Sequence, residues 1–189
     1  MDRRIKKNQS AIMNALMQLI AEKEFEKITI NDIAERADVN RGTVYSHYAD
    51  KYDLLDKCIE AQLAHLMECC YSPETTGPFP SKITLLRTVK EIENNAPLFQ
   101  SLLSIKDVSS FRVHLSKMIH MQIVEQMNEH KISLDDLGKS IFAQFMSSAI
   151  VGVIEWWFTP SMTCSAEELT ERLWSILEVN WMTLLSPQA

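Results

Sequence analysis

Three helix-start signals fall between Thr29 and Asp53, and they limit what this chain can fold into more than any other feature. Thr29-Ile30-Asn31-Asp32 has the form of a capping box, a threonine hydroxyl facing forward and a carboxylate three residues on to reach back. Behind it Ile30, Ile33, Ala34 and Ala37 recur at i, i+3, i+4 and i+7, one short apolar stripe. The link Asp38-Val39-Asn40 separates this helix from the next, which Asn40 can cap and which turns Val44 and Tyr48 inward. Asp50-Lys51-Tyr52-Asp53 then opens a long helix through Leu54, Leu55, Ile59, Leu63, Leu66 and Met67 to about Cys70. Helices of one or two turns are marginal in water by themselves. The two short ones therefore need each other and a neighbour, and Ile5–Glu22 offers one through Ile5, Ile12, Leu16, Leu19 and Ile20.

Beyond this segment the helical pattern continues. Four glycines and six prolines in 189 residues are too few for a turn-rich β architecture. YSPETTGPFPS, residues 71–81, is the clearest internal loop. Helices are expected over about 82–94 and 97–104, and from an Asp107 cap to about His130. Another runs from Ser133-Leu134-Asp135-Asp136 to Phe158, before Pro160. The last starts at the Ser165-Ala166-Glu167-Glu168 box and runs through Leu169, Leu173, Ile176, Leu177, Trp181 and Leu184, with Pro187 beyond. The expectation is an all-α chain of about nine helices without strands.

Several function classes drop out. The apolar run IFAQFMSSAIVGVIEWWF, residues 141–158, is interrupted by Gln144, Ser147, Ser148 and Glu155. It falls short of the ~20 apolar residues a membrane span needs, so a buried core helix is expected and no membrane. Cys58, Cys69, Cys70 and Cys164 show no CxxC spacing, and MDRRIKKNQS is charged where a secretory leader is apolar. A cytoplasmic, reduced protein with free thiols is expected. His65 and Cys69 at i, i+4 would make half a zinc site with no second ligand pair, so neither metal nor cofactor is expected. With no nucleophile–base pair and no phosphate loop, an enzyme is not expected.

Charge points to a partner. The net charge is −6, yet residues 1–57 hold ten Lys/Arg against ten Asp/Glu, and the excess of acid lies in residues 58–189, nine against fifteen. The N-terminal third is where an anion meets no long-range repulsion. There NRGTVYSHYADK, residues 40–51, gathers Arg41, Thr43, Tyr45, His47, Tyr48 and Lys51. Two short helices with a three-residue link and a polar, partly basic face on the second describe a helix-turn-helix, whose second helix fits a DNA major groove.

Residues 28–55, ITINDIAERADVNRGTVYSHYADKYDLL, also resemble the signature of tetracycline-repressor (TetR) type regulators. Thr29, Asp32, Ile33, Ala34, Ala37, Val39, Gly42, Thr43, Val44, Tyr45, His47, Lys51 and Leu54 stand at matching places. Asp38 replaces the family's turn glycine, at modest cost because Asp visits the left-handed region. Tyr48 replaces its phenylalanine. IVGVIEWWF, residues 150–158, followed by a capped last helix, resembles the C-terminal domain of a subgroup that includes a co-activator of dihydroxyacetone metabolism.

The resemblance implies a DNA-binding domain over residues 1–50 and a ligand-sensing, dimerising helical domain over 51–189. It implies a homodimer on a palindromic double-stranded operator, with half-sites about one helical turn (~34–36 Å) apart. A repressor released by a small-molecule effector is expected; the alternative is a co-activator or partner-dependent regulator on the same scaffold. Arg41 is a candidate to fork onto guanine, against a solvated arginine, and Thr43 to meet a thymine methyl or a phosphate. Tyr45 and His47 match the family's phosphate contacts, against packing between helices. Lys51 sits where a helix N-terminus already favours phosphate. Thr29 and Asn40 are caps first and candidate phosphate contacts second. Arg3, Arg4, Lys6 and Lys7 form either an arm along DNA or a frayed basic terminus. For the effector, Phe111, His114, Met118 and Gln122 share one helix face, against ordinary core. For the dimer, Phe142, Met146, Val153 and Trp157 lie on one flank of the apolar helix and Ile141, Phe145, Ala149 and Gly152 on another, with Leu177 and Trp181 on the last helix, against one chain covering both flanks itself.

Overall fold

The computed structural model describes residues 3–70, 81–105, 111–159 and 162–185. Nearly all of the expected 71–81 loop lies outside them, as do the Asp107 cap, Pro160, Pro187 and the side chains of Arg3, Cys69, Cys70 and Leu184. Among the described residues are nine α-helices and a 3-10 turn, with no strand. They are α1 (Arg3–Glu22), the turn Phe25–Lys27, α2 (Ile30–Arg36), α3 (Arg41–Tyr45), α4 (Lys51–Cys70), α5 (Lys82–Asn94), α6 (Ala96–Ser104), α7 (Phe111–Glu129), α8 (Asp136–Trp157) and α9 (Ala166–Leu185).

The starts are set by side chains that take up bare N–H groups. Thr29 Oγ1 accepts from Asp32 N at 3.2 Å while Asp32 Oδ2 accepts from Thr29 N at 2.8 Å, a complete box. Asn40 Oδ1 accepts from Gly42 N, and Asp50 Oδ1 from Tyr52 N and Asp53 N. At α8 the cap is Asp135, whose Oδ1 accepts from Gly138 N at 2.8 Å, and not Ser133. The reason lies upstream. Lys131 ends α7 with φ 52°, Ile132 N reaches back to Met127 O, and Ile132 is buried. The chain is still turning at Ser133, so the helix starts two residues later. Glycine suits position 138 because a Cβ there would meet the capping carboxylate at 2.8 Å.

The chain forms two compact units. The first is Met1–Ala64 with Pro97–Phe111, and the second is His65–Ala96 with Arg112–Ala189. In the first, Ile12, Leu16, Leu19 and Ile20 of α1 are buried, as are Phe25, Ile28, Ile33, Ala34, Val44 and Tyr48. Leu54, Leu55, Cys58 and Ile59 of α4 and Phe99 and Leu102 of α6 are buried in the same unit. Burial pushes the Cys58 thiol and the Tyr48 phenol up to about 12 each, so Cys58 is an inert core residue.

In the second unit α5 lies against α9. Lys82 pairs with Glu171, Lys90 with Glu167, and Glu93 Oε1 accepts from Ala166 N at the start of α9. The core holds Ile123 and Met127 of α7, Ile132 from the turn that follows it, Ala143 and Met146 of α8, and Leu173, Leu177 and Trp181 of α9. Helix α8 has the length and hydropathy of a membrane span, at a mean hydropathy of 1.5. One side of it, through Ala143, Met146, Ser147, Val151, Ile154 and Trp157, is buried within this chain.

That burial divides the residues expected at a dimer contact. Met146, Trp157, Leu177 and Trp181 lie inside their own chain, the indole of Trp157 donating to Cys164 O. They are core side chains rather than surface. Phe142, Gly152 and Val153 are half-buried, Phe142 with its ring edge-on to Trp181, whereas Phe145 and Ala149 are exposed.

Candidate nucleic-acid interface

The turn between α2 and α3 closes on the backbone. Asp38 N donates to Glu35 O, Val39 N reaches back to Ala34 O, and Asp38 adopts φ 52°. This is the Schellman arrangement, with aspartate where glycine is commonest. Helix α3 then leaves at once from its Asn40 cap. Val44, with no exposure, and Tyr48 anchor it to the core. Helix α2 is braced against the end of α1: the Arg36 guanidinium forks onto Glu22 at 2.8 and 2.7 Å, and Lys23 reaches Asp32 at 3.0 Å. The capping N–H of Thr29, then Lys23, hold the Asp32 carboxyl at about 2. The Arg36 pair likewise lowers Glu22. Arg36 and Lys23 are thus engaged within the domain, and Arg41 is the cation that the outer face of α3 presents.

That face is small. Arg41 and Tyr45 are exposed, Thr43 and His47 half-buried, and Asn40 and Thr29 exposed at the two helix starts. The Arg41 guanidinium carbon stands 5.3 Å from the Tyr45 ring centroid, and its Nη2 donates to the Tyr45 hydroxyl at 3.2 Å. Ser46 Oγ donates to Thr43 O and closes the helix. His47 meets the buried Tyr48 edge-on and is half-buried. A guanidinium, a threonine and a phenol on one short helix, with an imidazole just past its end, match groove and phosphate chemistry.

Lys51 is used differently from the expectation. Its Nζ donates to Phe25 O, Glu26 O and Ile28 O, each at 3.1 Å, and lies 4.7 Å from the Phe25 ring centroid and 5.5 Å from that of Tyr52. An ammonium has three N–H groups, and here all three serve the 3-10 turn. A phosphate contact by Lys51 requires one of them to leave. Nothing in the sequence marks this turn beyond Phe25 and Ile28, so the clamp was not legible there.

Of the expected effector residues, Phe111 is core in the first unit, its ring 5.6 Å from Phe99. His114, Met118 and Gln122 are half-buried on α7 in the second. A cleft of about 320 Å³ lies in the first unit, lined by residues 20–26, Ser101, Ser104 and Ile105, and includes none of these four. His65 Nε2 stands 3.3 Å from Glu91 Oε1. Among the described residues no three His, Cys, Asp or Glu gather as a metal site.

A five-residue helix braced by a capped partner, with its polar face outward on an all-helical chain, defines a helix-turn-helix regulator. Residues 12–58 match the model of bacterial regulatory proteins of the tetR family, and residues 82–178 that of a transcriptional regulator C-terminal region. The chain belongs to the TetR family, whose members are DNA-binding transcription regulators rather than enzymes. It is similar to the TetR transcriptional regulator from Streptococcus agalactiae 2603V, 26% identical, with a TM-score of 0.71 over 93% of this chain and 96% of that one. It is 26% identical over 159 residues to an uncharacterized HTH-type transcriptional regulator, YxbF, of Bacillus subtilis, covering 81% of this chain and 40% of that relative's length. The HTH-type dhaKLM operon transcriptional activator DhaS of Lactococcus lactis is 21% identical over 147 residues, 77% of this chain and 76% of its own.

Proposed function

We propose that this chain is a dimeric transcription regulator that reads a palindromic operator with the outer face of α3. The observation that carries the reading is the Arg41–Tyr45 pair exposed on a helix whose opposite side is fully buried. Arg41 and Thr43 face base edges and His47 faces the backbone, with Thr29 and Asn40 beside phosphates as working caps. A single head offers too few contacts for useful specificity, and two-fold symmetry doubles them.

The dimer forms on the strip of α8 and α9 that the described residues leave exposed. Leu137, Ile141, Phe145 and Trp156 of α8, and Ile176, Val179 and Met182 of α9, are each more than half exposed. Large side chains in that number are unusual on a free surface. Ala149 lies within the strip, and at Gly152 a Cβ would meet nothing within 4 Å, which leaves room for a second helix. A small effector held beside His114, Met118 and Gln122 shifts the two heads between spacings, and it must bind one spacing better than the other.

Repression is the first reading, because a dimer seated on promoter DNA excludes other proteins sterically. The similarity to DhaS, named as an activator, favours activation as the second. The test begins with the full chain and a randomised duplex pool. An enriched two-fold sequence supports the proposal, and no enrichment overturns it. A reporter driven through that sequence, with and without the protein, then gives the sign.

A further inference from the structure

The contact inside the reading face has a consequence for specificity. We infer that Tyr45 is a positioning residue for Arg41, so that the two side chains read one guanine as a unit, and that the tyrosine is not an independent phosphate contact. The inference rests on the DNA-reading proposal above.

An arginine at an exposed helix position samples many rotamers, and fixing it on binding costs conformational entropy. Here the guanidinium is already placed. Its carbon lies 5.3 Å from the Tyr45 ring centroid and its Nη2 donates to the Tyr45 hydroxyl at 3.2 Å. The two residues stand at i and i+4, where helical side chains meet. The ring in turn belongs to a helix held by Val44 and Tyr48, both buried, so the platform is fixed to the core. A guanidinium carries five N–H groups. The bond to the Tyr45 hydroxyl uses one, leaving the two that guanine O6 and N7 require. Pre-placement lowers the entropy lost on binding and narrows the directions in which Arg41 can donate, and both effects sharpen preference for one base. The Tyr45 hydroxyl, accepting from Arg41, still has its own proton to give to water or the DNA backbone. The pair therefore tolerates a nearby phosphate without depending on it.

The test uses the full chain and the duplex that the wild type enriches, with variants in which each G·C pair is replaced by A·T. Arg41→Ala identifies the pair that Arg41 reads, as the position where preference for G·C disappears. Tyr45→Leu, which removes both ring and hydroxyl at an exposed site, is expected to lower that same preference about tenfold, the size of a bidentate contact. Its affinity for the A·T variant is expected to stay near wild type. In an Arg41→Ala background the leucine change is expected to alter the preference no further. An equal loss on both duplexes, or a loss that persists without Arg41, overturns the inference and makes Tyr45 a backbone contact. No change in preference with Tyr45→Leu overturns it as well. A failure of the DNA-reading proposal looks different: the wild type then enriches no duplex, and Arg41 has no position to read.

Discussion

Asp38 carries the turn between α2 and α3 at a φ of 52°, a conformation that costs most side chains about 1–2 kcal/mol and Asp or Asn less. A β-branched replacement is penalised most, so Asp38→Val is expected to lose about 1–2 kcal/mol in thermal or urea unfolding. Asp38→Gly is expected to lose none of it. The position was legible through the resemblance, which sets Asp38 where TetR-type regulators carry their turn glycine. Asp32 gives a pH prediction. Its carboxyl is held at about 2 by the Thr29 N–H and Lys23, against about 4 in an unfolded chain. The folded state therefore binds that proton less readily, and the box contributes fully above about pH 4 and is lost as pH falls from there through about 2. Asp32→Asn is expected to flatten the acid limb of a Tm-against-pH series, and an unchanged limb contradicts the assignment.

Among the elements, the starts of α2, α3 and α4 were legible because caps act within a few residues of chain. The start of α8 was not. Ser133 and Asp135 both suit a cap, and the choice was made by Ile132 turning into the core. The Lys51 clamp was hidden for a related reason: it depends on where the Phe25–Lys27 turn points its carbonyls, which no local pattern records. Through that clamp α4 holds the segment that leads into α2. Lys51→Met keeps the length of the side chain and removes its donors. The variant is expected to show a lower Tm while the slope of log K against log salt for DNA binding stays at the wild-type value. Were Lys51 spending its charge on phosphate, the slope would shrink by about 0.9 for each lysine so used, with Tm little changed.

For the whole molecule the hardest feature to read was the direction of α8. Both of its flanks are apolar, so periodicity could not say which faced the core. The structure turns Met146, Val151 and Trp157 inward and leaves Ile141, Phe145 and Trp156 outside. The strip is the place to break the proposed dimer without touching the core. Phe145→Glu, at a side chain 62% exposed, is expected to give a folded monomer by light scattering. A dimer that survives it places the contact elsewhere. The helix count was visible because it depends on spacing along the chain, whereas the layering of α8 and α9 depends on how the helices meet.

The claim on which the rest depends is that α3 reads sequence through Arg41 and Thr43. Its most direct measurement is the affinity of the wild type and of an Arg41→Ala, Thr43→Ala double variant for the enriched duplex and a scrambled one, across a salt series. The wild type is expected to prefer the enriched duplex by about 10³-fold or more. The variant is expected to keep its salt-dependent binding to the scrambled duplex and to lose most of that preference. A variant that still discriminates as the wild type does would place the reading face somewhere other than α3.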